Sequence, residues 1–593
     1  MQYFLRVWGH VSRNASFPGL LYHLKADTVK SHGLFSFICY LYGMKEIKSN
    51  VPLVRCFRIE AAAPSLEDNT ADIDRLKKAL TKAVHREGIT GKHLQVPYDC
   101  IGRVGAVFRA ACFQGFVLAN IMPDSIEVID FFPEIPAAVP AVALDLGTTH
   151  LEAALLNLLT GERMAHGHLE NKQIEFGPDI LTRIHYAVPQ GKDVAGHADL
   201  QGLRKLQQRV IESVNELITD LAKKGGIAKE TVRALSVAGN TTMVHLFLGL
   251  NPYHICREPY IPLINEPDPC HAAELDLQIS PLAPVWVLPS IGSYFGGDLI
   301  AGILACGLDE AEEMCMLVDL GTNAEVVLGS KDWLIACAGA AGPALEGGVA
   351  KMGMRATPGA IERVKIDTTT WELMYTTIDD APPLGICGSG LIDLAAQLYL
   401  ARIIDFRGSL KNGIVPKSSI HKYFLDQRLR REAGEPSFVV AFAEESGRDL
   451  PVTVSQTDLD ALMRSKAAMY AILTTLTGQV GVGFEELHKI YVAGAFGKHI
   501  NPQHAVTLGM LPDLPLATYE CIGNSSLRGA EMILQSELHR RRSTKIRRIV
   551  TYVELNVNQE FMIRFSGARY IPHTEPSLFP TVPVFHDEPG ERS

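Results

Sequence analysis

One pattern is written twice in this chain, far apart: "VALDLGTTHLEAALLNL", with Asp145, Gly147, Thr148 and Thr149, and "MLVDLGTNAEVVLGS", with Asp319, Gly321, Thr322 and Asn323. In each copy an apolar strand ends at an aspartate, turns through glycine and a hydroxyl residue, and returns as a second strand. Gly147 and Gly321 are expected to take positive φ, which keeps the turn tight and directs backbone N–H groups outward where no Cβ obstructs a phosphate. The hydroxyls of Thr148, Thr149 and Thr322 and the amide of Asn323 add donors. Asp145 and Asp319 stand where a carboxylate can hold the waters of a magnesium ion that bridges phosphates. Asp and Gly are also favoured in hairpin turns that bind nothing. One copy alone fits that reading equally well; two copies heading comparable strands argue for paired phosphate grips.

The surrounding patterns alternate strand and helix. "LQGLRKLQQRVIESVNELITDLAKKGG" places Leu203, Leu206, Val210, Val214, Leu217 and Leu221 three or four apart, and Gly225-Gly226 stops that helix. "TVRALSVAGNTTMVHLFLGL" predicts a strand, a tight turn at Gly239 and Asn240, and a helix capped by Thr241 or Thr242. "ELHKIYVAGAFGKHINP" predicts a strand that delivers a Gly-rich turn. From Val142 onward this is the order an α/β fold requires. Upstream, "LVRCFRIEAAAPSL", "FVLANI" and "SIEVIDFF" look like strands, and "DIDRLKKALTKAVHREGI" has helical spacing at Leu76, Leu80 and Val84. The expected organisation is an N-terminal segment of unknown role over 1–54, a small α+β domain with the Pro-rich linker "FPEIPAAVPA" over 55–140, and the α/β region over 141–593.

The 593 residues carry 56 Lys and Arg against 66 Asp and Glu, a formal charge of −10, so no cationic footprint for nucleic acid is present. The basic run "HRRRSTKIRR", 539–548, reads as a solvated surface turn. Eleven scattered cysteines with no CxxC indicate neither a zinc knuckle nor a disulfide framework, which suits a reduced cytoplasm. "SHGLFSFICYLYGM" is too short to span a membrane and too far in for a signal peptide, so a soluble cytoplasmic protein with no membrane partner is expected.

At this point the chain resembles the actin, sugar-kinase and heat-shock-chaperone superfamily of ATPases, whose duplicated halves close on ATP. More closely it resembles the reductive activators of corrinoid proteins, ATPases that help return an oxidised cobalt centre to Co(I). The resemblance runs through both Asp-Leu-Gly-Thr stretches and through "ENKQIEFGPDILTRI", "VAGNTTMVHLFLGL", "LPSIGSYFGGDLIAGIL", "AGAAGPALEGGVAKMGMRATPGAI", "GICGSGLIDLAAQLY", "VAGAFGKHINPQHAVTLGMLP" and "IGNSSLRGAEMIL". It implies an α/β fold of duplicated ribonuclease H-like halves, an actin-like fold, preceded by the small α+β domain. It also implies Mg2+ and ATP as ligands and a corrinoid protein as partner, and it leaves room for a homodimer.

Residue by residue, the resemblance makes 145–149 the first phosphate loop and 319–323 the second. Ala238 to Thr242, with Gly239 and Asn240, becomes the first connecting motif, and Gly523 to Ala530 the second. Gly494, Ala495, Phe496 and Gly497 lie against the adenosine, with a side chain at Gly494 expected to enter the space of the nucleotide. Glu325 and Glu346 are the carboxylates to test for orienting an attacking water, each more readily read as a structural hydrogen-bond acceptor. Cys387 reads as packing, and His245 and His499 have no metal-ligand spacing.

Typical members of the family carry a [2Fe–2S] cluster on closely spaced cysteines. Here Cys39, Cys56, Cys100 and Cys112 are dispersed and no cysteine follows Cys521. No iron–sulfur cluster is expected in this chain, and a separate low-potential donor is expected to supply the electron. Two other classes use the same loops: a small-molecule kinase, which adds a substrate pocket and a carboxylate base, and a nucleotide-dependent binding module without turnover.

Overall fold

The computed structural model describes residues 51–188, 200–293, 295–321, 324–339, 350–354, 356–411, 413–432, 434–494, 500–553 and 559–585. Its first sheet runs β1 (Val54–Glu60), β3 (Gln114–Ile121), β4 (Ser125–Phe132), β2 (His93–Gln95), with helices α1 (Asp72–Arg86) and α2 (Tyr98–Ala110). Strand side chains alternate between faces. Phe57, Ile59, Val117, Ala119, Ile126 and Val128 share a core with Leu76, Leu80 and Val84 of α1 and with Val104 and Phe108 of α2. Leu118 and Ile129, on the other face, pack into the core of the next domain.

That domain repeats one topology. In its first half β5 (Pro140–Leu146), β6 (His150–Asn157) and β7 (Arg163–Glu170) form an antiparallel meander, and β8 (Leu235–Gly239) then β10 (Pro284–Val287) pair parallel on the other side of β5; β9 (Cys270–His271) closes the edge. In the second half β11 (Cys315–Leu320), β12 (Ala324–Ser330) and β13 (Trp333–Gly339) repeat the meander, and β20 (Lys489–Ala493) then β21 (Tyr519–Gly523) repeat the parallel pairs. The central strands β5 and β11 end in the two Asp-Leu-Gly-Thr turns. In open α/β sheets, ligands bind beyond the carboxyl ends of such strands.

Helices α3 (Ile180–Ala187), α4 (Gln201–Lys224) and α5 (Thr241–Leu248) serve the first half. Every apolar position expected along α4 is buried, and the helix ends at Lys224 before Gly226, whose φ is +66°. Two helices join the halves: α6 (Gly297–Cys306), which follows β10, and α7 (Ser525–Gln535), which follows β21. A Cβ on Gly529 would lie 2.4 Å from the Ala301 carbonyl oxygen, and one on Gly302 would lie 3.0 Å from Ser525 Oγ. The two helices therefore cross almost backbone to backbone. Leu299, Ile300 and Ile303 of α6 share one core with Leu527, Ala530 and Ile533 of α7.

The basic run is not a surface turn. It forms helix α8 (Glu537–Ile549), and Arg540, Arg542 and Arg547 reach inward to acceptors while Arg541 and Arg548 stay exposed. Arg540 is 3% exposed and donates to the Ile533 and Val51 carbonyls, at 2.7 and 3.1 Å. Arg542 grips buried Asp309, and Arg547 pairs with Glu266 at 2.7 Å. Val51 also accepts from Glu537 N, and Leu53 donates to Leu534 O while accepting from Ile121 N. The segment entering β1 is thus sewn both to the α7–α8 junction and to β3. Among the described residues no helix is long and apolar enough to cross a membrane.

A second tether joins the small domain to the edge of the first half. Glu127 of β4, 6% exposed, meets His271 Nε2 of β9 at 2.9 Å, and Asn120 donates to Leu282 O. The bond with Glu127 holds His271 above the ordinary histidine range against its burial, and the bond with His271 holds Glu127 below the carboxylate range. The histidine's contribution is present below its ordinary value and lost as pH rises through the raised one. The carboxylate's is present above its ordinary value and lost as pH falls through the lowered one. The tether is accordingly strongest between roughly pH 4.5 and 6.5. Glu127→Gln should flatten the fall in thermal midpoint between pH 6 and pH 8 by about 2 °C relative to the parent, read by calorimetry; parallel pH profiles would show that the tether adds nothing.

Candidate active site

The first loop is held from both sides. Asp145 sits opposite Glu152 across the β5–β6 ladder. Gly147 is not in the positive-φ region expected of it; glycine is needed because a Cβ there would lie 2.2 Å from the His150 carbonyl oxygen. Thr148 Oγ1 accepts from Asn240 Nδ2 at 3.0 Å. The Asn240 side-chain oxygen accepts from Met243 N at 2.9 Å, so Asn240 itself caps α5. Thr241 and Thr242 are buried first-turn residues, not the cap, since a cap must stand outside the helix with its oxygen over the free N–H groups. On the other side, fully buried Asn171 donates from Nδ2 to Gly147 O at 3.0 Å and from its backbone to Thr149 O at 2.8 Å.

The second connecting segment reaches across to these carboxylates. Asn524 caps α7 through Leu527 N, and its Nδ2 donates to Asp145 Oδ2 at 2.9 Å and to Glu152 Oε2 at 2.8 Å. Ser526 Oγ donates to Asp145 Oδ1 at 2.7 Å. Burial nevertheless pushes Asp145 up to about 7, with Glu152 and Asp298 adding repulsion. Asp298, in the first turn of α6, is pushed up to about 6 by burial. Burial opposes charge on Glu152 too, but the bonds from His166 and Asn524 bring it below the usual range. A Cβ on Gly296 would lie 2.4 Å from Asn240 Cα and 2.5 Å from Asp298 Oδ1, so α6 begins directly against the first connecting motif.

The second loop repeats the cross-strand pair, with Asp319 opposite Glu325. Asp319 also lies level with Ala493 of β20, and the chain then turns at Gly494, φ +91°. A Cβ on Gly494 would fall 2.3 Å from Leu320 O and 2.7 Å from Asp319 Oδ1. A side chain at Gly494 would therefore run into the second loop's own backbone before reaching any ligand, and the glycine is required by the loop itself. Gly494 N donates to the carbonyl of Gly523, φ +68°, which ties this turn to the second connecting segment. Gly321 follows Leu320 in the loop; Thr322, Asn323, Glu346, Ala495, Phe496, Gly497 and His499 lie outside the described residues.

Sequence reasoning missed Glu152, Asn171, Asp298, Asn524 and Ser526. Glu152 had a signal, since each Asp-Leu-Gly-Thr copy carries a glutamate early in its return strand. The others had none beyond membership in a motif. Cys387 is buried with its thiol on Ile361 O, and His245 is buried with Nδ1 on Thr241 O, so both serve packing. Among the described residues no three His, Cys, Asp or Glu side chains form a ligand cage for a metal ion. The oxygen donors at the loops suit a hard cation that keeps its waters.

Because its Cβ would meet backbone, Gly494→Ala should displace the second loop. Both effects should appear together: a thermal midpoint lower by several degrees and Mg-ATP binding weaker by about tenfold, roughly 1.4 kcal/mol. Weaker binding at an unchanged midpoint would restore the view that the gap belongs to the nucleotide.

Three family models match in series: the RACo linker region over 45–134, the RACo middle region over 140–311, and the C-terminal domain of RACo, the ASKHA domain, over 313–583. The fold aligns with a solved reductive activator for corrinoid, iron-sulfur protein at TM-score 0.82 and 36% identity, covering 91% of this chain and 82% of that one. The corrinoid activation enzyme RamQ of Eubacterium limosum is 29% identical over 515 residues, 86% of this chain and 82% of its own. A [Co(II) methylated amine-specific corrinoid protein] reductase of Methanosarcina barkeri is 23% identical over 431 residues, 66% and 70% of the two chains. The repeated topology, the paired loops and these matches together place the chain in the family of reductive activators of corrinoid proteins, on an actin-like ASKHA fold.

Proposed function

We propose that this protein is an ATP-dependent reductive activator of a corrinoid protein, coupling ATP binding and hydrolysis to the return of its cobalt to Co(I). The observation that carries the reading is the pair of bonds from Asn524 and Ser526 to Asp145. They make the charge at the first phosphate loop depend on a segment that follows a strand of the other half. A nucleotide gripped by both loops favours one relative placement of the halves. Only a state that binds the partner differently with and without nucleotide can shift the partner's equilibrium, and hydrolysis then resets it.

Within the site, Thr148, Thr149 and the backbone around Gly147 and Gly321 donate to phosphate oxygens. Asp145 and Asp319 would hold the waters of the magnesium ion, and Glu325 would orient the attacking water. Magnesium supplies charge neutralisation on the phosphates. Glu152 and Asp298 each disfavour charge on buried Asp145, so a magnesium ion beside that carboxylate would favour its ionised form.

The cysteine chemistry supports an external electron donor. Cluster ligation uses closely placed thiolates, whereas the cysteines of this chain are dispersed in sequence with no CxxC.

Asp145→Asn and Asp319→Asn should each lower phosphate release stimulated by a corrinoid protein by about a hundredfold, with circular dichroism unchanged. If both hydrolyse ATP at the parent's rate, the phosphate-loop assignment is wrong. Phosphate transfer to a small acceptor would point to a kinase, and tight ATP binding without turnover to a binding module.

Protein made in cells able to build iron–sulfur centres should contain no stoichiometric iron and should support corrinoid reduction only with an added low-potential donor. About two irons per chain would overturn the external-donor reading.

A further inference from the structure

Arg183, on α3, is fully buried and yet, among the described residues, has no carboxylate in ion-pair contact. Its Nε donates to Gly177 O at 2.9 Å, and its Nη1 donates to Gln173 Oε1 at 3.1 Å and toward the Met243 sulfur at 3.3 Å. Its Nη2 is buried without an acceptor among the described residues. Burial pushes the guanidinium down to about 10. Asp179 offsets only part of the cost of burying this cation, and a core that needed only volume would hold an apolar side chain there.

The partners of Arg183 lead to one place. Gln173 N donates to Asn171 Oδ1 at 3.0 Å, and Asn171 donates onward to Gly147 O. Met243 N donates to Asn240 Oδ1, and Asn240 donates onward to Thr148 Oγ1. Two struts, one from the segment after β7 and one from α5, thus end on adjacent residues of the first loop, and Arg183 Nη1 joins them at their far ends. A planar fork suits this task, because it can hold several acceptors in fixed relative positions where an ammonium cannot.

We propose that Arg183 is a positioning residue for the first phosphate loop, bridging the Gln173–Asn171 and Met243–Asn240 struts so that Gly147 and Thr148 keep one geometry. The inference rests on the reading of 147–149 as a phosphate loop. A purely structural arginine would alter stability without a specific coupling to that loop.

The test is a double-mutant cycle on the full chain, with Mg-ATP affinity and amide exchange of the peptide containing 147–149 as readouts. Arg183→Lys is expected to weaken Mg-ATP binding about tenfold and to speed exchange at the loop, and Asn171→Ala to do likewise. The double variant should be less than about threefold weaker than the worse single, because the second change acts on a strut already released. An effect equal to the product of the singles, or Arg183→Lys with parental affinity and exchange, overturns the proposal. If the parent itself binds no Mg-ATP, the functional reading fails and loop exchange alone decides the positioning role. Should Arg183→Lys not fold, Met243→Leu, which keeps volume and removes the sulfur acceptor, should weaken binding about threefold with faster loop exchange; no change in either overturns the proposal.

Discussion

The near contact of α6 and α7 at Gly529 sets the relation of everything around it. With Ala301 backbone occupying the place of any Gly529 side chain, the helices cannot be spaced by intervening rotamers. Close-packed interiors transmit small displacements instead of absorbing them. The N-termini of these same helices deliver Asp298 and the Asn524–Ser526 segment to the first loop. A slide at the crossing must therefore alter the hydrogen bonds at Asp145. The helix crossing and the carboxylate bonds are two ends of one rigid connection, which suits a site meant to report whether the halves are closed.

The small N-terminal domain is drawn into that connection. Val51 and Leu53 are bonded to α7 and α8, while Glu127 and Asn120 reach β9 and the Leu282 carbonyl of the first half. Backbone bonds to a helix end are short and directional, so the domain follows α7 instead of floating on a linker. The arginines of α8 matter for the same reason: Arg540 satisfies carbonyls on both sides of the junction where few other donors reach.

The loops themselves show a division of labour. The second is braced by backbone, through Gly494 against Leu320 and Gly523. The first is braced by side chains, through Asn171, Asn240, Asn524 and Ser526. Side-chain amides and hydroxyls can exchange partners at little cost, whereas a backbone clash admits no alternative. The first loop is accordingly the adaptable one.

Local pattern alone determined a good part of this protein. The Asp-Leu-Gly-Thr repeat announced two equivalent strand-turn-strand units, and the spacing of Leu203 to Leu221 announced the buried face of α4, because both depend on near neighbours in the chain. Tertiary structure decided what those patterns could not express. Whether Arg540 faces water or carbonyls, whether a side chain at Gly494 would meet open space or the Leu320 backbone, and which residues hold Asp145 all depend on segments far apart in sequence. Asn524 and Asp145 meet only because α7 leaves its own sheet to pack on the other half, and a hydrogen bond between such distant positions leaves no period, composition or turn signal in a single sequence.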